Sequence, residues 1–337
     1  MGRVGTEGAA LAEPSHRFIE TNGIRMHIAE AGTGPLVLLC HGFPESWYSW
    51  RHQLRALAAA GFHAVAPDMR GYGQTDRPEA IDQYTLLHLV GDMVGVLDAL
   101  GEAEAVIVGH DWGAPVAWTS ALLRPDRFRG VVALSVPFMP RGEKRPTSVM
   151  PQTEDAVFYQ LYHQTPGAAE ADMESDVRFF LRGNLIAASG DGPLKTRTPG
   201  VDQVFMVPRE GLRARWKIWY PDVSVLPAWL TEADADFFVA EFSRTGFRGG
   251  LNYYRNIDRN WELLAAFAGA KVTVPALLMI GQYDVTLFFD GMLDLVANQK
   301  MLVPQLRETI MLPGCGHWTQ QERADEVNAG LIRFLWG

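Results

Sequence analysis

The sequence predicts an α/β fold in which a mostly parallel sheet is flanked by helices and carries an inserted helical lid. Short, mostly apolar runs recur along the chain, as expected of strands covered on both faces. Segments of helical length separate the first four runs, which is the strand-helix alternation of a parallel sheet. The alternation stops after Pro137 and resumes near Ala270, so the segment between them is predicted to be a helical insertion.

The elements follow in order from the N-terminus. Residues 1–16 are predicted to be a flexible tail, and Arg17–Ile19 and Arg25–Ala29 flank an Asn22-Gly23 turn, which predicts a β-hairpin. Buried strands are predicted at Leu36–Cys40, His63–Ala66, Ala105–Val108, Val131–Ser135, Ala276–Ile280 and Thr309–Leu312. Helices are predicted at Trp47–Ala60, Leu86–Leu100 and Ala114–Leu123. The core therefore comprises residues 17–137 and 270–337, and the lid comprises residues 138–269.

One helix and several apolar residues stand out in the lid. Glu232–Arg244 is predicted to be an amphipathic helix, because Thr231 to Asp234 has the pattern of a capping box and Gly246 is a suitable stop. The segment 183–212 matches no motif, which leaves the shape of a substrate tunnel open. Some apolar lid residues are expected either to line such a tunnel or to pack the insertion: Phe158, Met206, Trp216 and Trp219.

The bulk composition narrows the classes of function. A formal net charge of −9 argues against nucleic acid, because phosphate binding needs a basic surface, and an uncharged small molecule fits better. Cys40 and Cys315 are too few for a disulfide scaffold or a zinc site, and we expect no metal and no cofactor. The sequence lacks a membrane-length apolar run and a signal peptide, so a cytoplasmic location without membrane contact is expected. A homodimer is compatible with these features.

A nucleophile elbow is predicted between the third buried strand and the helix that follows it. Gly109-His110-Asp111-Trp112-Gly113 joins Ala105–Val108 to Ala114–Leu123, and the position usually filled by Ser holds Asp111. Small residues are required beside the nucleophile, because the turn is sharp and neighbouring backbone passes close to it. The alternative is that Asp111 only caps the following helix.

The order of polar residues along the chain favours catalysis over capping. Asp284 and His317 each follow a predicted strand, which gives the order nucleophile, acid, histidine. Taken singly, Asp284 could be a turn aspartate and His317 a loop histidine, but their joint placement predicts a catalytic triad. His41-Gly42-Phe43-Pro44 follows the first buried strand, so the backbone amides of Phe43 and Trp112 are the predicted oxyanion-hole donors.

These motifs resemble those of the epoxide hydrolases of the α/β-hydrolase superfamily, in particular the soluble, short bacterial and plant type. The resemblance runs from about Arg17 to the C-terminus and rests on residues 41–47, 68–73, 109–113 and 316–318. It implies the α/β-hydrolase fold and two lid tyrosines that donate hydrogen bonds to the epoxide oxygen. By the family pattern these donors are Tyr159 and Tyr254, and their neighbours Tyr162 and Tyr253 are most easily confused with them.

An aspartate nucleophile points to substrates that are attacked at an sp³ carbon. Attack by serine would leave an ether, whereas attack by Asp111 leaves an ester that water can cleave with His317 as general base. The sequence therefore predicts conversion of an epoxide to a vicinal diol. A haloalkane dehalogenase would also fit Asp111 and Trp112, but it commonly has Asn at the position of Phe43. A non-catalytic small-molecule receptor on the same fold is the third alternative.

Overall fold

The computed structural model describes residues 13–199, 205–220 and 222–337, so residues 1–12 of the predicted tail lie outside the described residues. Its strands, in chain order, are β1 Ser15–Thr21, β2 Ile24–Ala31, β3 Leu36–Cys40, β4 His63–Pro67, β5 Ala105–His110, β6 Phe128–Leu134, β7 Ala156–Phe158, β8 Met206–Pro208, β9 Ala276–Gly281 and β10 Leu306–Leu312. Most of these strands belong to one large sheet with the order β1-β2-β4-β3-β5-β6-β9-β10. Strand β2 is antiparallel to both of its neighbours, and the remaining pairs are parallel.

The α-helices in chain order are α1 Arg51–Ala59, α2 Leu86–Leu100, α3 Gly113–Leu123, α4 Tyr159–Tyr162, α5 Ala168–Glu174, α6 Val177–Ala187, α7 Leu212–Trp219, α8 Glu232–Thr245, α9 Arg248–Arg255, α10 Ile257–Leu263, α11 Met292–Ala297, α12 Gln299–Leu302, α13 Thr319–Glu322 and α14 Ala324–Trp336. Short 3₁₀ helices lie at Trp47–Trp50, Ile81–Tyr84, Pro146–Ser148, Pro193–Thr196, Ala265–Phe267 and Val285–Phe288. Among the described residues, no helix combines the length and apolar character needed to cross a membrane.

The central strands are buried on both faces, as their continuous apolar runs predicted. In β3, Leu36, Leu38 and Cys40 face one core, which includes apolar residues of α2, α3 and the lid. Val37 and Leu39 face a second core, which includes apolar residues of α1 and α14. The period of two along a strand therefore divides the apolar residues between the two helical layers.

The predicted hairpin is confirmed, with one difference at its start. Asn22 and Gly23 have φ angles of 42° and 76°, the positive values that a two-residue hairpin turn with a right-handed twist requires. Strand β1 begins at Ser15 rather than Arg17, so the predicted tail overlaps it. Pairing extends this far because β2 is long enough to place Glu30 opposite Ser15, whose hydroxyl donates to the Glu30 carbonyl.

Between β6 and β9 the described residues are mainly helical, but they also form a small sheet that the sequence did not predict. Strands β7 and β8 pair antiparallel, with Phe158 opposite Met206. Three-residue strands are too short to show an alternating pattern in sequence, and their pairing partner lies far along the chain. The predicted lid helix is confirmed as α8, with reciprocal hydrogen bonds between Thr231 and Asp234 at its start and Gly246 at φ 67° at its end.

Candidate active site

Asp111 lies in a sharp turn between β5 and α3, with a φ of 50°. A β-carbon at Gly109 would collide with the carbonyl group of Gly113, and one at Gly113 would collide with the carbonyl oxygen of Cys40. The glycines on either side of the nucleophile position are thus required by close backbone contacts. The side chain of Asp111 makes no cap of α3, because its Oδ1 instead accepts a hydrogen bond from the Phe43 amide at 2.7 Å.

The loop after β3 packs directly against this carboxylate. A β-carbon at Gly42 would collide with the side chain of Asp111, so glycine is needed for the loop to approach this closely. This close approach lets the Phe43 amide, one of the two predicted oxyanion donors, donate a hydrogen bond to the carboxylate. For the other donor, the amide of Trp112, the described residues show no hydrogen bond to Asp111.

His317 lies between the two aspartates that the sequence predicted. Its Nε2 is 3.4 Å from Oδ2 of Asp111, and its Nδ1 is 3.1 Å from Oδ1 of Asp284. Asp284 is fully buried and is held by Thr286, whose backbone amide and hydroxyl both lie within hydrogen-bonding distance of Oδ1. The loops after β5, β9 and β10 meet at the carboxyl edge of the sheet, which brings these three side chains together.

Burial and charge act in opposite directions on the pKa values of His317 and Asp284. Burial lowers the pKa of His317, but the charge of Asp284 and the hydrogen bonds with Asp111 and Asp284 raise that pKa well above its ordinary value of 6.5. Burial raises the pKa of Asp284, but the charge and hydrogen bond of His317, together with bonds from Thr286 and Ser135, bring it below 3.8. An ionised Asp284 and a strongly basic imidazole follow from this arrangement.

The structure separates the two lid tyrosines from their neighbours. Tyr159 at the start of α4 and Tyr254 in α9 line the same cavity as Asp111. The hydroxyl of Tyr162 instead donates to Asp172 at 2.7 Å, and that of Tyr253 donates to the Arg70 carbonyl at 2.9 Å. Burial raises the pKa of Tyr159 and Tyr254 above the usual value of 10, so both phenols stay protonated near neutral pH.

The cavity above Asp111 has a volume of about 740 Å³ and a mostly apolar lining. Phe158 and Met206 contribute to that lining. Trp216 packs into the lid core against Phe180, with ring centroids 5.5 Å apart, and Trp219 packs beside Leu194 and Phe288. Of the four apolar lid residues, Phe158 and Met206 therefore line the cavity, whereas Trp216 and Trp219 pack against other apolar side chains. Within the described part of the chain, no cluster of three or more His, Cys, Asp or Glu side chains could hold a metal ion.

Two further side chains, those of Ser135 and His110, contact His317 and were not singled out by the sequence. Oγ of Ser135, the residue after β6, lies 2.9 Å from Nδ1 of His317. His110 Nε2 lies 2.7 Å from the His317 carbonyl oxygen, and His110 Nδ1 lies 2.7 Å from Glu45. A signal was present for Ser135, because it ends the predicted buried strand Val131–Ser135 and so lies at the same edge of the sheet as Asp284, but a lone serine at the end of a strand is too common to be distinctive.

Comparison with known proteins identifies the family. Residues 35–324 match the model of the alpha/beta hydrolase fold. Epoxide hydrolase A of Mycobacterium tuberculosis is 43% identical over 97% of this chain and 99% of that protein. Epoxide hydrolase 3 of Siraitia grosvenorii is 44% identical over 95% and 98%, respectively. The solved structure of an epoxide hydrolase from an endophytic Streptomyces superposes with a TM-score of 0.90 at 48% identity, covering 96% of each chain.

The chain therefore belongs to the α/β-hydrolase fold family and, within it, to the epoxide hydrolases.

Proposed function

We propose that this protein converts an epoxide and water to a vicinal diol through a covalent ester on Asp111. The observation that carries the proposal is the placement of an aspartate at the nucleophile elbow, 3.4 Å from His317 and in one cavity with Tyr159 and Tyr254. A carboxylate is a nucleophile without needing a base, and its ester retains a carbonyl that water can attack.

In the first step, a carboxylate oxygen of Asp111 forms a bond to an epoxide carbon while the bond from that carbon to the ring oxygen breaks. The electron pair of the broken bond goes to the ring oxygen, which becomes an alkoxide. Tyr159 and Tyr254, whose burial keeps them protonated, donate hydrogen bonds to this oxygen, and a phenol supplies its proton. The phenolate that this transfer leaves then takes up a proton from solvent.

The charge of the triad changes at this point. In the free protein, Asp111 and Asp284 both contact His317 and raise its pKa well above 6.5. Conversion of Asp111 to a neutral ester removes one of these negative charges, so the pKa of His317 falls. Ester formation itself thus prepares the imidazole to act as a base in the second step.

In the second step, water adds to the ester carbonyl of Asp111 as His317 takes its proton, with Asp284 holding the ring. The amides of Phe43 and Trp112 stabilise the oxyanion of the tetrahedral intermediate. Collapse of that intermediate breaks the bond to the diol oxygen, which takes the proton from His317, and leaves Asp111 as a carboxylic acid. This acid loses its proton to solvent, which restores the carboxylate and balances the proton taken up in the first step. The sum of both steps is one epoxide plus one water giving one diol.

The test is a single turnover in water enriched in oxygen-18, with protein in excess over an aryl epoxide. Through the ester, the first diol carries no label and the label enters the side chain of Asp111, whereas direct attack by water labels the diol. His317→Gln is expected to accumulate one ester per active site on the peptide that contains Asp111. A labelled first diol, or diol formation by Asp111→Ala at the wild-type rate, refutes the proposal.

A haloalkane dehalogenase is the nearest alternative, because Trp112 lines the cavity beside Asp111 as a halide donor would. Turnover of an aryl epoxide, a haloalkane and a p-nitrophenyl ester, measured in parallel, separates the two activities. Ligand binding without any turnover would instead indicate a receptor. A homodimer and a cytoplasmic location stay predictions from the sequence.

A further inference from the structure

Ser135 has a strained backbone at the edge of the triad. It is fully buried directly after β6, and its φ of 75° lies in the left-handed region. Among the described residues, the other non-glycine positions with positive φ are Asn22, in the hairpin turn, and Asp111, at the nucleophile elbow. Serine has no special tolerance for this conformation, so the surrounding structure must hold it there.

Hydrogen bonds from β9 and the Asp284 loop hold Ser135 in place. Its amide donates to the Met279 carbonyl at 2.8 Å, and its carbonyl accepts from the Thr286 hydroxyl at 3.0 Å. The amide of Thr286 donates to Asp284, so one threonine forms hydrogen bonds with both Ser135 and Asp284. As a result, Oγ of Ser135 lies 2.9 Å from Nδ1 of His317, while Oδ1 of Asp284 lies 3.1 Å from the same atom.

The proton on Nδ1 therefore faces two acceptors. A serine hydroxyl can accept the Nδ1 hydrogen and at the same time donate its own hydrogen. The buried Oδ2 of the Asp284 carboxylate has no hydrogen-bond partner among the described residues. The carboxylate thus has the capacity to receive the serine hydrogen while His317 donates to both groups.

We propose that Ser135 is a positioning residue that orients His317 by sharing its Nδ1 hydrogen with Asp284. The inference rests on the proposed function, because it acts through the base of the second step. A second acceptor beside Asp284 restricts rotation of the ring and keeps Nε2 directed at the Asp111 ester and its water. Ester formation needs no base, so only ester hydrolysis depends on this contact.

The experiment compares Ser135→Ala and Ser135→Gly with the wild-type protein in single turnovers of an aryl epoxide. Rapid-quench mass spectrometry of the peptide containing Asp111 measures the formation and the decay of the ester separately. Both variants are expected to form the ester at the wild-type rate and to hydrolyse it roughly five- to tenfold more slowly, the effect of one net hydrogen bond. Ser120→Ala is the matched control, because Ser120 is a buried serine whose hydroxyl has no partner among the described residues.

The pair of variants separates the hydroxyl from the backbone conformation. Alanine at a φ of 75° carries the same strain as the native serine, whereas glycine adopts this φ without strain, so a purely structural role of the backbone would leave Ser135→Ala like the wild type and alter only Ser135→Gly. Any of three results would overturn the inference: a change in Ser135→Gly alone, an unchanged decay of the ester in both variants, or an equal loss in the rates of ester formation and ester decay. If no ester forms even in His317→Gln, the proposed function fails as well. If the ester does accumulate in His317→Gln, a failure of the Ser135 variants refutes only the role of Ser135.

Discussion

Removal of the phenol hydroxyls tests the lid part of the site most directly. Tyr159→Phe and Tyr254→Phe each delete one hydroxyl and leave an aromatic ring of the same shape. The ring of Tyr254 contacts Trp112 and His163, with centroids at 5.0 and 4.7 Å, and a phenylalanine ring can keep these ring contacts. The variants should therefore keep the packing of the lid, so a loss of rate reports the chemistry.

The magnitude follows from the role of the two hydroxyls. A single donor aimed at a developing oxyanion in a water-excluded site contributes roughly 10²- to 10³-fold to the rate. We expect each single variant to slow ester formation roughly 10²-fold and the double variant roughly 10⁴-fold, if the two donors act independently. Decay of the ester should change little, because the leaving oxygen is already protonated by then.

The neighbouring tyrosines supply matched controls. Tyr162→Phe and Tyr253→Phe also remove one hydroxyl from the lid, but these hydroxyls bond Asp172 and the Arg70 carbonyl. They should lower the free energy of unfolding by about 1–2 kcal/mol and leave ester formation unchanged. The assay is the single-turnover rate with an aryl epoxide, together with thermal unfolding of each variant. Near-normal ester formation in the double variant, or an equal loss in the controls, would refute this assignment of the donors.

Other predictions concern the residues around the carboxylate and the triad. Gly42→Ala should abolish measurable ester formation while the protein stays folded, because the added β-carbon meets the side chain of Asp111; wild-type kinetics would contradict this. Asp284→Asn should slow ester decay roughly 10²- to 10⁴-fold, so that the ester accumulates in mass spectra; formation and decay slowed alike would speak against a role limited to the second step. Burial raises the pKa of Glu45, but the charge and hydrogen bond of His110 outweigh it and bring that pKa from 4.5 to about 2. A carboxyl pKa that is lower in the folded state stabilises the fold above pH 4.5, and this stabilisation is lost as the pH falls towards 2. The difference in the free energy of unfolding between the wild type and Glu45→Gln, measured by chemical unfolding, should therefore shrink over this pH range. A difference that stays constant would disprove the linkage.

Local features of the fold were predictable because they depend on neighbours in sequence. The turn at Asn22-Gly23 needs two residues that tolerate positive φ, and the helix after Thr231 needs only its own capping residues. The elbow around Asp111 is equally local, since a strand, a tight turn with glycines and a helix succeed one another. Where the predicted boundaries differed, as at Ser15, the pairing strand decided the end of the element.

Only the tertiary structure decided which side chains meet. Tyr159 and Tyr162 lie one helical turn apart in a short helix, and nothing in the sequence of that helix determines which of them lines the cavity with Asp111 and which donates to Asp172. The contact between Ser135 and His317 likewise joins residues 182 positions apart, from loops brought together by the order of strands in the sheet. Sequence patterns report on residues within a few positions of each other, whereas a site at the edge of a parallel sheet is assembled from several distant loops. The sequence was thus enough to propose Asp111 as the nucleophile, but the geometry of its partners required the folded chain.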